Sequence, residues 1–294
     1  MTEPTLRTKL AALLSTTVLE TRSERVEGGC INDCFRYATA KGSVFVKVAE
    51  ASRLEMFEAE AEGLRELSAA QAVRVPIVLG VGSVSGQALL ALEWLDLRPT
   101  ARRSDAKFGA QLAQLHRVKK PLYGWKRNNF IGSTPQANLW SRDWVHFWRT
   151  HRFDVQLDIA VARGADARLV ERAALLSALM DGFFTSYIPE ASLLHGDLWS
   201  GNYAADERSN PVIFDPAAYF GDRECDLAMT RLFGGFSADF YAAYRHEWPL
   251  DEGWPARVDL YNLYHVLNHY NLFGGGYLSQ AAAMIDKLLA ELGH

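Results

Sequence analysis

The residues best suited to do chemistry fall in one stretch, His195-Gly196-Asp197-Leu198-Trp199-Ser200-Gly201-Asn202, followed by Asp215 after the apolar run Val212-Ile213-Phe214. Their types match what phosphoryl transfer asks of a protein. It needs a carboxylate to orient the attacking hydroxyl, oxygen ligands for a divalent cation, and a cation on the donor phosphates. Asp197 is the candidate base; Asn202 and Asp215 are the candidate magnesium ligands. An aspartate five residues before an asparagine is common by itself and usually caps a turn. Here Trp199, Gly196 and Gly201 crowd the same polar loop between two apolar segments, and a further acid follows.

The spacing is that of a kinase catalytic loop, with a histidine two residues ahead of the aspartate. The cation must come from elsewhere. Lys47, inside Val44-Phe45-Val46-Lys47-Val48, is the candidate, and an edge or solvent-facing lysine is the competing reading. Glu60, on the helix that follows, is the expected partner of Lys47, with Glu58 as its competitor and the other nearby glutamates as a solvated face. Gly28-Gly29 suits a backbone approach to nucleotide phosphates, although the full G-x-G-x-x-G pattern is missing. Leu92–Leu95, with Glu93 and Leu95, would offer backbone groups to adenine by position alone.

The departures from a protein kinase are informative. Gly196 stands where regulated protein kinases carry arginine, Pro216 follows Asp215 where Phe-Gly is usual, and no Ala-Pro-Glu follows. Ten residues separate Asp215 from Asp226, too few for a long peptide-docking segment. A small or side-chain-borne hydroxyl is therefore the better acceptor, and a protein Ser/Thr kinase is the least favoured reading.

The elements that would position these residues are a β-rich first third and a mainly helical remainder, an α+β, two-lobe arrangement. The expected division is an N-terminal lobe over 1–92, a hinge over 93–98 and a C-terminal lobe over 99–294. Leu6, Leu10, Leu13 and Leu14 share one face of a helix within residues 1–18. Strands are expected at 34–38 and 43–48 around Ala40-Lys41-Gly42, and at 73–81 and 87–92. Between them Leu54, Phe57, Ala61 and Leu64 mark an amphipathic helix. Further helices are expected to end near His116 and to cover about 141–160, 166–187, 224–233, 236–247, 255–272 and 278–292. A β-like island, Leu193–Leu194 and Val212–Phe214, flanks the chemical loop.

Bulk properties narrow the class further. A formal charge of −4 over 294 residues gives no general reason to bind nucleic acid or an anionic membrane. Three scattered cysteines make neither a disulfide framework nor a zinc site, which fits a reducing cytosol. No secretory pattern opens the chain, and no apolar run approaches the roughly 20 residues that span a bilayer. The expectation is a cytoplasmic protein.

Taken with their surroundings, these residues resemble the fructosamine kinases, or ketosamine 3-kinases, a branch of the aminoglycoside and choline kinase group within the protein-kinase-like fold. The resemblance runs over nearly the whole chain. It is carried by Gly28-Gly29-Cys30-Ile31, Val44-Phe45-Val46-Lys47, Met56-Phe57-x-x-Glu60, the His195–Asn202 loop and Val212-Ile213-Phe214-Asp215-Pro216-Ala217. Asn129-Phe130-Ile131-Gly132-Ser133-Thr134-Pro135-Gln136, Tyr219-Phe220-Gly221, Phe233-Gly234-Gly235-Phe236, Leu267-Asn268-His269-Tyr270-Asn271 and Gly274-Gly275-Gly276-Tyr277 extend it.

The resemblance implies ATP as donor with Mg2+, and as acceptor the 3-hydroxyl of a ketosamine, free or borne on lysine. Phosphorylation there makes the adduct labile and leads to deglycation, with ribulosamines and erythrulosamines suiting bacterial members better than fructosamines. Trp199, Trp140, Asp143, His269 and Tyr277 become candidates for the acceptor pocket, against the competing reading that most such aromatics are core. Asp226 resembles the acid that braces the catalytic loop, with a helix-start cap as the simpler reading. Cys30, in the presumed phosphate loop, is a candidate redox site, giving a monomer or a redox-linked homodimer as the expected state. The alternatives are an aminoglycoside or choline-type phosphotransferase and, less favoured, a non-catalytic nucleotide-binding protein.

Overall fold

The computed structural model describes residues 3–20, 23–26, 32–84, 86–100 and 102–294. Gly28, Gly29 and Cys30 lie outside the described residues. The first part of the chain runs α1 (Glu3–Leu14), β1 (Glu24–Arg25), β2 (Asp33–Thr39), β3 (Gly42–Glu50), α2 (Leu54–Ala69), β4 (Val78–Val84) and β5 (Gln87–Glu93). The second part begins with α3 (Arg102–His116), β6 (Asn129–Ile131), β7 (Thr134–Gln136), α4 (Trp144–Trp148), α5 (Asp154–Ala162) and α6 (Ala167–Leu179). It continues with β8 (Ser192–Leu194), β9 (Tyr203–Ala205), β10 (Pro211–Ile213), β11 (Tyr219–Gly221), α7 (Glu224–Leu232), α8 (Ala238–Glu247), α9 (Trp254–Phe273) and α10 (Tyr277–Glu291).

The first part forms a five-stranded antiparallel sheet in the order β1-β2-β3-β5-β4. Helices cover both of its faces, and the sequence of β5 shows why it is buried along most of its length. Leu89 and Ala91 join Leu6 and Leu10 of α1 in one cluster, while Ala88, Leu90 and Leu92 join Phe57, Ala61, Leu64 and Leu67 of α2 in another. Side chains alternate across a strand, so two covered faces require an unbroken apolar run. The same alternation places Val44, Val46 and Val48 of β3 on the α1 side and Lys47 on the α2 side. Since β3 lies inside the sheet, the solvent-facing alternative for Lys47 does not hold; it is 5% exposed.

Two expectations are corrected. The strand read at 73–81 begins only at Val78, because Arg74 instead makes a bridge to Val212 and Pro76 has no N–H for a ladder. The helix read at 141–160 is α4 and α5 joined through a wider turn at Arg149–Phe153. The two pieces of the β-like island also do not pair with each other. β8 pairs with β11, and β10 pairs with β9.

Backbone bridges tie the two parts together. The Ile213 N–H donates to the Arg74 carbonyl at 3.0 Å, and Arg98 and Ala205 exchange two hydrogen bonds of 2.8 and 3.0 Å. In the helical part α9 is buried on most of its faces, with α7 and α10 packed on it. No helix among the described residues is long and apolar enough to cross a membrane.

Candidate active site

A cavity of about 690 Å³ opens between the sheet and the helical part, lined by Lys47, Glu60, Asp197, Trp199, Asn202 and Asp215 among others. Lys47 Nζ lies 2.8 Å from Glu60 Oε1 and 2.7 Å from Asp215 Oδ1. Burial by itself would lower the Lys47 pKa, but the Asp215 and Glu60 carboxylates raise it, so the ammonium stays charged. Burial pushes the Glu60 carboxyl upward, with Lys47 pulling the other way. Glu58 does not reach Lys47; it faces Arg127 at 3.6 Å.

Asp197 and Asn202 sit on a loop built by close backbone approach. The Asn202 N–H donates to the Trp199 carbonyl at 3.0 Å, and Asn202 Nδ2 donates to the Asp197 carbonyl at 2.9 Å and to Asp197 Oδ2 at 3.2 Å. Burial pushes the Asp197 carboxyl up to about 7; Asp215 and Asp226 add to this, and the Asn202 hydrogen bond opposes it. Gly196 has φ +82°, and a Cβ there would lie 2.1 Å from the Ala217 carbonyl oxygen. The glycine that stands in place of a protein-kinase arginine is thus a packing requirement. Gly201 lies under the Trp199 ring, where a Cβ would fall 2.2 Å from the ring edge.

Buried side chains hold this loop in place. Asp226, 1% exposed, accepts the backbone N–H groups of His195 at 2.7 Å and Gly196 at 2.8 Å. It braces the loop, and the start of α7 is capped instead by Asp222, which accepts from the Glu224 N–H at 3.0 Å. His116 completes the arrangement, with Nε2 3.2 Å from Asp226 Oδ2 and Nδ1 2.8 Å from the Tyr244 hydroxyl. Burial lowers the His116 pKa against the pull of Asp226. In the tautomer that donates through Nε2 to Asp226, Nδ1 is free to accept from the Tyr244 hydroxyl. Burial raises Asp226, but the His116 hydrogen bond, the nearby histidines and the Gly196 N–H bring it below the usual carboxylate range. His195 links the loop to the Asp215 segment, because its ring lies 3.0 Å from the Phe214 carbonyl and accepts from the Asp197 N–H at 3.3 Å. Asp215 itself takes φ +58°, a conformation that aspartate tolerates better than most residues.

The remaining candidates divide. Trp199, His269 and Tyr277 belong to one aromatic row: Trp199 meets Phe233 edge-on at 6.1 Å, Phe233 meets His269 at 5.1 Å, and His269 meets Tyr277 at 5.2 Å. Trp140 and Asp143 are not part of that row. Trp140 lies against Phe220, and Asp143 caps α4 by accepting the His146 N–H at 2.9 Å. Glu93 and Leu95 line the cavity, but the Glu93 carboxylate is engaged by Arg74 at 2.8 Å. Sequence reasoning did not find His116. It also missed the buried amide network, in which Asn129 Nδ2 donates to the Ala218 carbonyl at 2.8 Å while Asn129 Oδ1 accepts from Gln136 and Asn138 at 2.8 Å each. The cluster of Asn and Gln in and just after the segment 129–136 was the available signal.

Among the described residues no group of three or more His, Cys, Asp or Glu is assembled for a metal ion. Asp215 and Asn202 instead bring one carboxylate and one amide to the cavity wall. That donor set fits a magnesium ion held largely by substrate phosphates and water.

A sheet carrying a lysine–glutamate pair over a helical part with an Asp…Asn loop and a following Asp is the arrangement of the protein-kinase-like fold. The chain belongs to the fructosamine kinase family, whose pattern it matches over residues 3–291. It is 43% identical over 265 residues to a probable ketoamine kinase of Synechocystis, covering 90% of this chain and 89% of the relative. It is 41% identical over 275 residues to a chloroplastic protein-ribulosamine 3-kinase of Arabidopsis thaliana, covering 92% and 84%. A crystal structure from Haemophilus somnus assigned as a fructosamine-3-kinase superposes with a TM-score of 0.87 at 30% identity, covering 97% of each chain.

Proposed function

We propose that this protein transfers the γ-phosphoryl group of ATP to the 3-hydroxyl of a ketosamine, either free or carried on a protein lysine. The observation that carries this reading is the Asp197 carboxylate, raised to about 7 and held by Asn202, in the same cavity as the Lys47–Asp215 pair and the Trp199 ring. Lys47 neutralises the donor phosphates, and Glu60 keeps its ammonium on the cavity side of the sheet. Asn202 and Asp215 are the residues that would hold magnesium, which when bound offsets the negative charge of the transferred group. Asp197 orients the acceptor hydroxyl and takes its proton as the new O–P bond forms and the bond to the ADP oxygen breaks. Donor phosphate appears on C3 of the sugar, and its departure from C3 by β-elimination as inorganic phosphate leaves a C1 imine that water hydrolyses to free the amine.

Trp199 and the aromatic row running to His269 and Tyr277 supply the acceptor side, where ring faces suit a sugar and its amine substituent. The names of the relatives support ribulosamine- and fructosamine-type acceptors. The cytosol suits the reaction, since it provides ATP and a reducing medium for the buried, unpaired Cys34 and Cys225.

The test is ATP turnover with ribulose-lysine, fructose-lysine, choline and an aminoglycoside, with Asp197→Asn as control. Turnover with one or both ketosamines that vanishes in the variant is the expected result. Turnover with choline or the aminoglycoside alone overturns the acceptor; full activity of Asp197→Asn overturns the mechanism.

A further inference from the structure

We infer that Arg127 is a positioning residue for the phosphate-binding lysine, because it fastens α2 to the helical part and thereby keeps Glu60 on Lys47. The inference rests on the phosphate role given to Lys47 above. Lys47 contacts two carboxylates that belong to different bodies: Glu60 is on α2, and Asp215 follows β10. It reaches both only while α2 stays close to the segment that carries Asp215.

The sequence of α2 has two charged faces. Glu60 points inward beside the apolar stripe, whereas Glu55, Glu58 and Glu62 recur at i, i+3 and i+7 and share another face. That face meets the segment between α3 and β6. Arg127 Nη1 lies 2.7 Å from Glu62 Oε1, and its Nη2 lies 3.6 Å from Glu58 and 4.0 Å from Glu55. Lys126 Nζ adds a contact of 2.8 Å to Glu62. The Arg127 and Glu62 side chains are 22% and 30% exposed, so solvent screens this pair less than it screens an open surface pair.

The base of Arg127 is itself anchored. Its carbonyl accepts from Asn138 Nδ2 at 3.2 Å, and Asn138 Oδ1 accepts from the buried Arg152 at 2.6 Å. Asn138 also donates to Asn129, whose amide holds the Ala218 carbonyl, three residues beyond Asp215. On α2, Gly63 faces the same segment so closely that a Cβ would lie 3.3 Å from Ala218 Cβ and 3.4 Å from Pro216 Cγ. One buried amide network therefore supports both the ionic fastening of α2 and the chain that presents Asp215. Arg127 works through α2 and Glu60 and does not line the cavity.

The experiment measures ATP affinity by calorimetry without acceptor, together with KM for ATP and for the ketosamine. It compares wild type with Arg127→Ala, Arg127→Lys, Glu62→Gln, Glu60→Gln and the Arg127→Ala/Glu60→Gln double variant. Arg127→Ala is expected to weaken ATP binding about fivefold while the ketosamine KM changes less than about twofold, and Arg127→Lys to recover part of the loss. Raising NaCl from about 0.05 to about 0.5 M should weaken ATP binding more in wild type than in Arg127→Ala. In the Glu60→Gln background, Arg127→Ala should add less than about twofold. Unchanged ATP affinity, equal rises in both KM values, or the same loss with and without Glu60 overturns the inference. If Arg127→Ala folds poorly, Glu62→Gln and the wild-type salt titration decide the question in its place. Calorimetry needs no acceptor, so a failure to phosphorylate ketosamines would refute the proposed function and leave the ATP-affinity, salt and double-variant comparisons to decide this inference.

Discussion

Replacing Asp197 by asparagine separates catalysis from stability, because the carboxylate proposed to serve the reaction is held where its charge is disfavoured. Burial, with Asp215 and Asp226 nearby, moves it from 3.8 to about 7, which corresponds to about 4 kcal/mol of preference for the protonated form. A carboxyl raised on folding gives stability that is complete below its unfolded pKa and is lost as pH rises through the folded one. For Asp197 that window runs from about 4 to about 7. Asparagine is neutral throughout and escapes the loss, while changing the hydrogen bond to Asn202. Half-buried as the group is, a recovery of about 1–3 kcal/mol at pH 8 is expected, or about 2–6 °C in Tm. The gain should shrink by more than half at pH 5. Meanwhile wild-type kcat/KM should rise with pH through about 7, and the variant should lose on the order of 10²–10⁴ in kcat. Thermal melts at pH 5 and 8 with a pH–rate profile test this. A flat wild-type profile between pH 6 and 8.5, or a Tm lowered equally at both pH values, would refute the reasoning.

Gly196→Ala should cost about 2–4 kcal/mol and most of the activity, since the Cβ meets the Ala217 oxygen at 2.1 Å and φ is +82°. Gly86→Ala, with φ +80° and nothing within 4 Å, isolates the backbone penalty and should cost about 1 kcal/mol in denaturant melts. His116→Ala removes the ring from the Asp226 carboxylate and leaves a buried void. Unfolding should show a loss of about 2–4 kcal/mol, and steady-state kinetics a lower kcat with little change in the KM for ATP.

The meeting of His195, Asp197, Asn202 and Asp215 was readable because they lie within about 20 residues of one another, where spacing constrains geometry. Lys47 and Glu60 were readable for a related reason: a strand followed by a helix that covers it brings residues 13 apart face to face. Helix positions followed from apolar periodicity, which the core dictates. The strand at 73–81 and the continuous helix at 141–160 failed where a contact from the other part of the molecule, or a wider turn, overrode the local pattern. Trp140 and Asp143 were candidates by type, and composition carries no direction; the structure places one against Phe220 and the other at the start of α4.

What the sequence determined by itself was therefore the local arrangement: which carboxylates and amide share a loop, which lysine sits in which strand, and the order of sheet and helices. Tertiary structure alone decided which distant groups meet them. Lys47 finds Asp215 across 168 residues, His116 finds Asp226 across 110, and Arg127 finds Glu62 across 65. Periodicity and spacing decay over a few turns of chain, whereas these contacts are fixed by how two packed bodies close on each other. The pKa of Asp197 belongs to that second class, since burial between those bodies is its largest cause.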